Sequence, residues 1–251
     1  MNLLLKKVVC NMYKSFLSSE WKKWLRDPLL KFMVFYPILF GVIGRYVLPL
    51  IAEQTGFSID HFADLIVVIL VLLVPHVYGA LIGFSILDDR DDQILTSIHV
   101  TPLGIHQFLS FRISVVFILS FIATTYVMWF SNIGDLSISH IFAVSFLVSL
   151  AAPMTGFFIN ALAKNKIEGF AVMKGSGMII IFPIVSLFFF DKKELFFSFA
   201  PGFWPAKAIS SLIRGDDILL LTYHHYFFIG LAYIIVLNII VYKIFLTKVK
   251  S

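Results

Sequence analysis

The chain alternates long apolar runs with short polar connections. Six runs reach the length typical of membrane-spanning helices, about 18 residues or more with few charges. They cover about residues 29–50, 62–87, 113–130, 141–163, 170–190 and 226–246. Because backbone exposed to lipid must satisfy its hydrogen bonds internally, runs of this length must be helical. The pattern predicts an all-α polytopic membrane protein with six transmembrane helices.

Residues 1–27, ahead of the first run, carry apolar side chains at helical spacing among several lysines. Leu5, Met12, Trp21 and Trp24 belong to the apolar stripe, which follows the 3.6-residue period of an amphipathic helix. Such a helix lies in the membrane interface, with its lysines among the headgroups. A simple surface anchor and a functional element are both open interpretations of this segment.

The connection between the fifth and sixth runs is long, at about residues 191–225. Its apolar part, 195–213, is interrupted by Pro201, Gly202 and Pro205, so it is not expected to cross the bilayer. Non-helical backbone at membrane depth is tolerated only where it is buried in protein or lines a cavity. The segment therefore predicts an outer re-entrant hairpin.

Composition and charge agree with a membrane protein of defined orientation. Hydrophobic residues make up 59% of the chain and charged residues 14%, against about 25% charged in soluble domains. Basic residues accumulate in cytoplasmic segments. With a cytoplasmic N-terminus, five of the 20 basic residues fall outside: Arg45, Lys192, Lys193, Lys207 and Arg214. We expect both termini to lie on the cytoplasmic side of the membrane, and we expect no nucleic-acid partner.

The densest acidic patch lies in "LDDRDDQILTSIHVTPLG" (Leu87–Gly104), between the second and third runs. The acids are Asp88, Asp89, Asp91 and Asp92. We expect the last three to occupy the first turn of a short helix, where the helix dipole favours negative charge. Ile94, Leu95 and Ile98 form one face of that helix. These residues alone favour a solvated, capped loop over a docking surface.

Motifs for enzymatic chemistry are missing from the sequence. It contains no G-x-x-x-x-G-K-[ST] phosphate-binding loop, so we expect the chain not to be an enzyme and not to hydrolyse ATP alone. It also lacks the H-E-x-x-H pattern. His224 and His225 are adjacent, and neighbouring positions on a helix do not face each other. A metal site is therefore not expected.

Four polar residues within the runs are candidates for contacts in the membrane. Arg45 is a functional candidate as an intramembrane charge, although snorkelling or a structural pair is favoured. For His76, beside Pro75, packing at a helix kink is favoured over ligand binding. Asn160 and Asn238 are expected to donate hydrogen bonds between helices.

Three stretches, in this order, resemble the permease subunits of ATP-binding-cassette type-2 exporters. They are "DDRDDQILTSIHVTPLGIHQFLSFR" (Asp88–Arg112), "INALAKNKIEGFAVMKG" (Ile159–Gly175) and "APGFWPAKAI" (Ala200–Ile209). The second matches the family's Asn-x-x-Glu-Gly stretch at Asn165, Glu168 and Gly169. The chain departs from the family at Asp92-Gln93, where Gly-Thr is common. The small, Phe-rich chain is also similar to bacterial exporters of amphipathic peptides such as phenol-soluble modulins.

The resemblance implies a single transmembrane domain over residues 1–251, with a coupling loop at 88–110. Docking of an ATPase subunit would use Asp88, Asp89, Arg90, Asp91, Ile94, Leu95 and Ile98, beside a second cytoplasmic loop at Asn165, Glu168 and Gly169. Two ATPase copies would hold ATP and Mg²⁺, so this chain itself would bind no cofactor. A second permease chain, identical or paralogous, would complete the path across the bacterial cytoplasmic membrane.

The implied function is export of a hydrophobic or amphipathic substrate, with a peptide or toxin first and a drug or lipid second. Arg45 and His76 are the weaker candidates along the substrate path. One alternative is a non-transporting immunity or sensor protein on the same fold. Another is a secondary transporter, which would be expected to show an inverted repeat and intramembrane acids.

Overall fold

The computed structural model describes residues 17–92 and 105–250, and for residues 105, 106 and 248–250 the backbone alone. The described residues are helical, with no β-strand among them. Six helices are long and apolar enough to cross a membrane, which confirms the predicted fold class. Spans one to six are Pro28–Thr55, Asp60–Asp91, Gln107–Ser131, Ile138–Leu162, Lys166–Ser186 and Tyr223–Thr247.

Four of the spans contain a change of helix type or a break. Span one joins α-helices Pro28–Val42 and Leu48–Thr55 through the π-helical turn Ile43–Val47. Span two begins as the 3-10 turn Asp60–Phe62 and continues as α-helix Ala63–Asp91. Span four consists of Ile138–Ser149 and Ala151–Leu162. Span five consists of Lys166–Gly177, the 3-10 turn Met178–Ile180 and Ile181–Ser186.

The remaining helices are uninterrupted or lie between spans five and six. Spans three and six lie within α-helices Ile105–Ser131 and Tyr223–Lys250. The connection between spans five and six contains the 3-10 helix Lys192–Phe197 and the α-helix Phe203–Arg214. Insertion of this connection into the outer leaflet stays a prediction.

The chain divides into two compact units between Tyr36 and Pro37. In the first unit, residues 17–26 are helical and Asp27 interrupts the helix. Asp27 Oδ1 accepts hydrogen bonds from the main-chain N–H groups of Leu29 and Leu30, at 2.8 and 3.3 Å, and so caps the start of span one. The interfacial position of residues 1–27 stays a prediction, and residues 1–16 lie outside the described part of the chain.

The second unit has its core between spans two and four, which are the most buried spans. The two helices approach closely at glycines: a Cβ on Gly79 would lie 2.5 Å from Thr155 Cβ, and one on Gly156 would lie 2.6 Å from Ile82 Cγ2. Small residues permit this kind of helix contact in membranes. The short distances explain why spans two and four form a tightly packed pair.

Two asparagines link spans across this unit. Asn160 Nδ2 donates to Gly83 O at 3.0 Å, which joins span four to span two. Asn238 Nδ2 donates to Leu150 O at 2.9 Å, which joins span six to the break in span four. The predicted role of both residues as donors between helices is confirmed.

The unit has two ends, at which the spans meet their connections. We call the end that contains Asp91, Leu162 and Lys166 the Asp91 end. The opposite end contains Asp64 and Tyr223, and we call it the Asp64 end. The polar side chains considered as functional in the sequence lie mainly at the Asp91 end.

Candidate functional site

The acidic stretch lies at the C-terminal end of span two, where three of its charged residues contact other spans. Asp88 Oδ2 lies 3.3 Å from Lys166 Nζ, at the start of span five. Asp89 and Arg112 of span three form a buried ion pair, each with 3% of its side chain exposed. Arg90 Nη1 donates to the carbonyls of Asn160 and Ala163, at 3.3 and 3.4 Å.

These positions correct the prediction that the acids begin a short helix. The α-helix of span two continues to Asp91, about four residues beyond its predicted end, so the acids lie in a last turn. Negative charge there is unfavourable to the helix dipole. Lys166 and Arg112 offset that cost because each places a cation against one carboxylate. Nonlocal ion pairs, and not local capping, therefore explain Asp88 and Asp89.

The four predicted docking charges differ in exposure. Asp89 is buried, Asp88 and Arg90 are half-buried, and Asp91 is exposed, as is its neighbour Asp92. The predicted apolar anchor, Ile94, Leu95 and Ile98, lies outside the described residues. Of the described docking candidates, Asp91 thus has the most accessible side chain.

The second predicted motif forms a variant of the capping box at the start of span five, in which Glu168 accepts from the residue before the N-cap. Asn165 Oδ1 accepts from the main-chain N–H of Glu168 at 3.0 Å, and Glu168 Oε2 accepts from the main-chain N–H of Lys164 at 2.8 Å. This reciprocal arrangement satisfies N–H groups at a helix start. It explains why the helix begins at Lys166, about four residues before the predicted boundary.

Gly169 brings the start of span five against the end of span two. A Cβ at this position would lie 2.8 Å from Leu87 Cδ1 and 3.1 Å from Phe84 Cε1. A side chain at this position would displace the Leu87 side chain, so glycine permits the observed close packing. Together with the Asp88–Lys166 pair, this contact holds the start of span five, where the second predicted motif lies, against the end of span two.

Removal of the cap tests this assignment. We expect Asn165→Ala to lower the free energy of unfolding by about 1 kcal/mol, since N–H groups lose their acceptor. Asn165→Asp should have little effect because aspartate also caps helices well. Denaturant titration of the detergent-solubilised protein measures both. Equal losses in the two variants would show that the contribution of Asn165 is not a cap.

The two weaker candidates lie in different surroundings. Arg45 is exposed in the π-helical turn of span one, and it makes no ion pair with the described residues. Of the two favoured interpretations, a structural ion pair is not found among the described residues, and snorkelling stays a prediction. His76 borders a cavity of about 220 Å³ between spans two, four, five and six and the 199–202 turn. The structure does not bring Arg45 into that lining.

A polar network at the Asp64 end was missed by the sequence reasoning. Arg214 Nε and Nη2 donate to the two carboxylate oxygens of Asp64, at 2.6 and 2.8 Å, and Ser210 Oγ donates to Oδ2 at 2.8 Å. Asp64 is buried near the start of span two. An isolated acid at the edge of an apolar run was the available signal, because such a charge needs a partner.

A second buried pair holds the connection between spans five and six. Lys207 Nζ lies 2.7 Å from Glu194 Oε2 and donates to Phe189 O at 2.6 Å. Tyr226 of span six donates to Glu194 Oε1. Burial lowers the pKa of Lys207, and the hydrogen bond and charge of Glu194 oppose that shift. These contacts hold the connection against span six. Both charged side chains of the pair are buried.

The described residues contain no group of three His, Cys, Asp or Glu side chains that could hold a metal ion. Their charged clusters are pairs of opposite sign that connect helices. These pairs fix neighbouring helices to one another.

Comparison with known proteins identifies the family. Residues 20–242 match a family model described as "Fluoroquinolones export permease protein Rv2686c-like". Two relatives, the fluoroquinolones export permease proteins MT2760 and Rv2686c, come from Mycobacterium tuberculosis strains CDC 1551 / Oshkosh and ATCC 25618 / H37Rv. Each is 31% identical over 190 residues, which cover 73% of this chain and 75% of the relative. No solved structure matches the chain.

The family match agrees with the six spans and with the resemblance found in the sequence. The predicted kinship with type-2 exporter permeases is confirmed, whereas the narrower kinship with peptide exporters stays a prediction. The chain is a multi-pass membrane protein and an exporter permease subunit by family. It belongs to the family of Rv2686c-like fluoroquinolones export permease proteins.

Proposed function

We propose that this chain is the membrane subunit of an ATP-driven exporter, with a separate ATPase bound at the Asp91 end. The observation that carries the proposal is the set of contacts joining the end of span two to spans three, four and five. The sequence contains no phosphate-binding loop of its own, so ATP and Mg²⁺ would be held by the partner. The positive-inside pattern supports a cytoplasmic position for this end.

The contacts at the Asp91 end provide a route for mechanical coupling. A force on residues 92–104 acts directly on the last turn of span two. From there the Asp89–Arg112 pair transmits it to span three, and the Asp88–Lys166 pair transmits it to span five. Arg90 transmits it to span four through its hydrogen bonds to the carbonyls of Asn160 and Ala163. Closure of an ATPase against this connection would therefore move four spans together.

The docking surface in this proposal combines exposed acid with an apolar anchor. Asp91 supplies the exposed charge, while Asp88, Asp89 and Arg90 act as positioning residues inside the chain. The apolar anchor would be Ile94, Leu95 and Ile98. Two ATPase copies and a second permease chain, identical or paralogous, would complete an exporter in the cytoplasmic membrane.

We take the substrate to be an amphipathic, drug-like aromatic molecule. The two relatives are named for fluoroquinolone export, which favours a drug over the peptide that came first in the sequence prediction. The apolar cavity beside His76 is compatible with such a compound. Nothing in the family match speaks for a peptide or toxin.

The docking proposal predicts a graded response to substitution. Leu95→Asp and Ile98→Asp should each weaken the ATPase complex by on the order of 10- to 100-fold, since a buried apolar side chain contributes about 1.5–3 kcal/mol. Asp91→Asn should weaken it much less, because an exposed charge contributes little. Copurification of the co-expressed ATPase measures the effect, with membrane insertion confirmed for each variant. Normal copurification of both apolar-to-Asp variants would exclude this surface as the dock.

A further inference from the structure

A cavity of about 220 Å³ lies inside the second unit, between spans two, four, five and six and the 199–202 turn. Its walls are mainly apolar, and they include Met154, Phe158 and Phe199. Among the lining residues that the structure describes, His76 alone has an ionisable side chain. The site is thus an apolar chamber with one imidazole, formed within a single chain.

Two of the four spans around the cavity depart from regular α-helix where they border it, and a third contains a proline there. Pro75 lies in the α-helix of span two, where it removes a main-chain donor. Span four breaks at Leu150, next to the lining residue Ala151. Span five becomes a 3-10 helix at Met178–Ile180, and Ile180 lines the cavity. Helix irregularities at membrane depth are tolerated where they line a cavity and often mark functional sites.

The hydroxyl groups in the lining are oriented by their own helices. Thr155 Oγ1 donates to Ala151 O at 3.0 Å, and Ser176 Oγ donates to Met173 O at 3.0 Å. Each hydroxyl therefore already donates its proton within its own helix, and its oxygen can accept a hydrogen bond from a ligand. The complementary ligand is apolar over most of its surface and carries a hydrogen-bond donor.

Size and lining select an aromatic ring system. Pockets for whole drug-sized ligands measure about 300–1,000 Å³, so this smaller, partly open cavity fits a part of such a molecule. Phe158 and Phe199 offer ring contacts, and the Met154 thioether offers a sulfur–aromatic contact. A flexible acyl chain would gain nothing from the hydroxyl and imidazole groups.

We infer that this cavity binds the flat, fused aromatic part of an amphipathic substrate, with a donor group near Thr155 or Ser176. The inference rests on the proposed export function, and it locates one binding site within each chain. Such a site would couple substrate to the proline of span two and to the helix irregularities of spans four and five. The ends of these three spans meet the contacts that face the proposed ATPase.

Binding of ciprofloxacin to the chain alone, in nanodiscs of defined lipid, tests the inference without any transport step. Ser176→Phe fills the cavity from span five, whereas Gly175→Phe adds the same ring at a neighbour whose Cβ would have nothing within 4 Å. We expect the dissociation constant to rise at least about tenfold for Ser176→Phe. Gly175→Phe should bind like the unmodified chain.

A second pair of variants guards against misfolding of the first. Val241→Phe fills the cavity from span six, and the adjacent Ile240 is exposed and outside the lining, so Ile240→Phe is its control. Equal affinity in a filled variant and its control would overturn the inference. Absence of ciprofloxacin binding, with a copurified lipid lost only from the filled variants, would assign the cavity to an acyl chain instead. Normal binding without transport would retain the site and reject the proposed export function.

Discussion

Replacement of Lys207 by methionine is expected to lower the free energy of unfolding by about 3–5 kcal/mol, the typical cost of removing one partner of a buried ion pair. Lys207 and Glu194 are both fully buried, and their charged atoms lie 2.7 Å apart. The substitution leaves the Glu194 carboxylate buried, with a hydrogen bond from the Tyr226 hydroxyl of span six but without its cationic partner. Detergent-solubilised protein titrated with denaturant gives the measurement.

Lys193 provides the matched control for this prediction. It pairs with Asp191 at 3.5 Å in the same connection, but 76% of its side chain is exposed. Exposed pairs contribute little, so Lys193→Met should be close to neutral. The double variant Lys207→Met with Glu194→Gln should recover much of the loss, because no buried charge is left unpaired. Equal effects at Lys207 and Lys193 would contradict a structural role for the buried pair.

The second large effect is expected at the contact between spans two and four. In Gly79→Val, the new Cβ would lie 2.5 Å from Thr155 Cβ and 2.6 Å from Ala152 O. The main-chain oxygen cannot rotate away, so the helices must separate. Overpacking typically costs about 1–3 kcal/mol and occasionally more, and we expect the upper part of that range because Asn160 bonds to Gly83 across the same contact.

Gly175→Val is the control, because it places the same β-branched side chain within a helix but has open space around its Cβ. Thermal unfolding followed by loss of monodisperse protein compares the two variants. Gly79→Val should unfold at clearly lower temperature, and Gly175→Val should stay near the unmodified chain. Similar melting temperatures would mean that spans two and four tolerate a wider separation.

The number and type of the spans could be predicted because apolar length alone decides them. A run such as 226–246 must be a helix in lipid, whatever its neighbours are. Ends of spans were less predictable where nonlocal contacts set them. Span two continues through Asp88 and Asp89 because Lys166 and Arg112, distant in sequence, neutralise the carboxylates. The helix dipole alone favours acids in the first turn of a helix, and for that reason the sequence predicted them at a helix start.

The candidate site was predictable to the extent that it is local. Asn165 and Glu168 are three residues apart, and that spacing is the spacing of a capping box. The contact of Gly169 with Leu87 is long-range, so the sequence showed the glycine and not its reason. Asp64 and Arg214 are 150 residues apart, so the sequence did not indicate which residue pairs with Asp64.

In the proposed function, this chain exports an aromatic, amphipathic compound when a separate subunit hydrolyses ATP. The most direct measurement is uptake of ciprofloxacin into proteoliposomes that contain the chain and its cognate ATPase, with nucleotide sites facing outward. The account predicts accumulation that requires ATP, both subunits and an intact ATPase active site. Uptake without ATP would indicate a secondary transporter, and ATP hydrolysis without any ciprofloxacin uptake would contradict the claim.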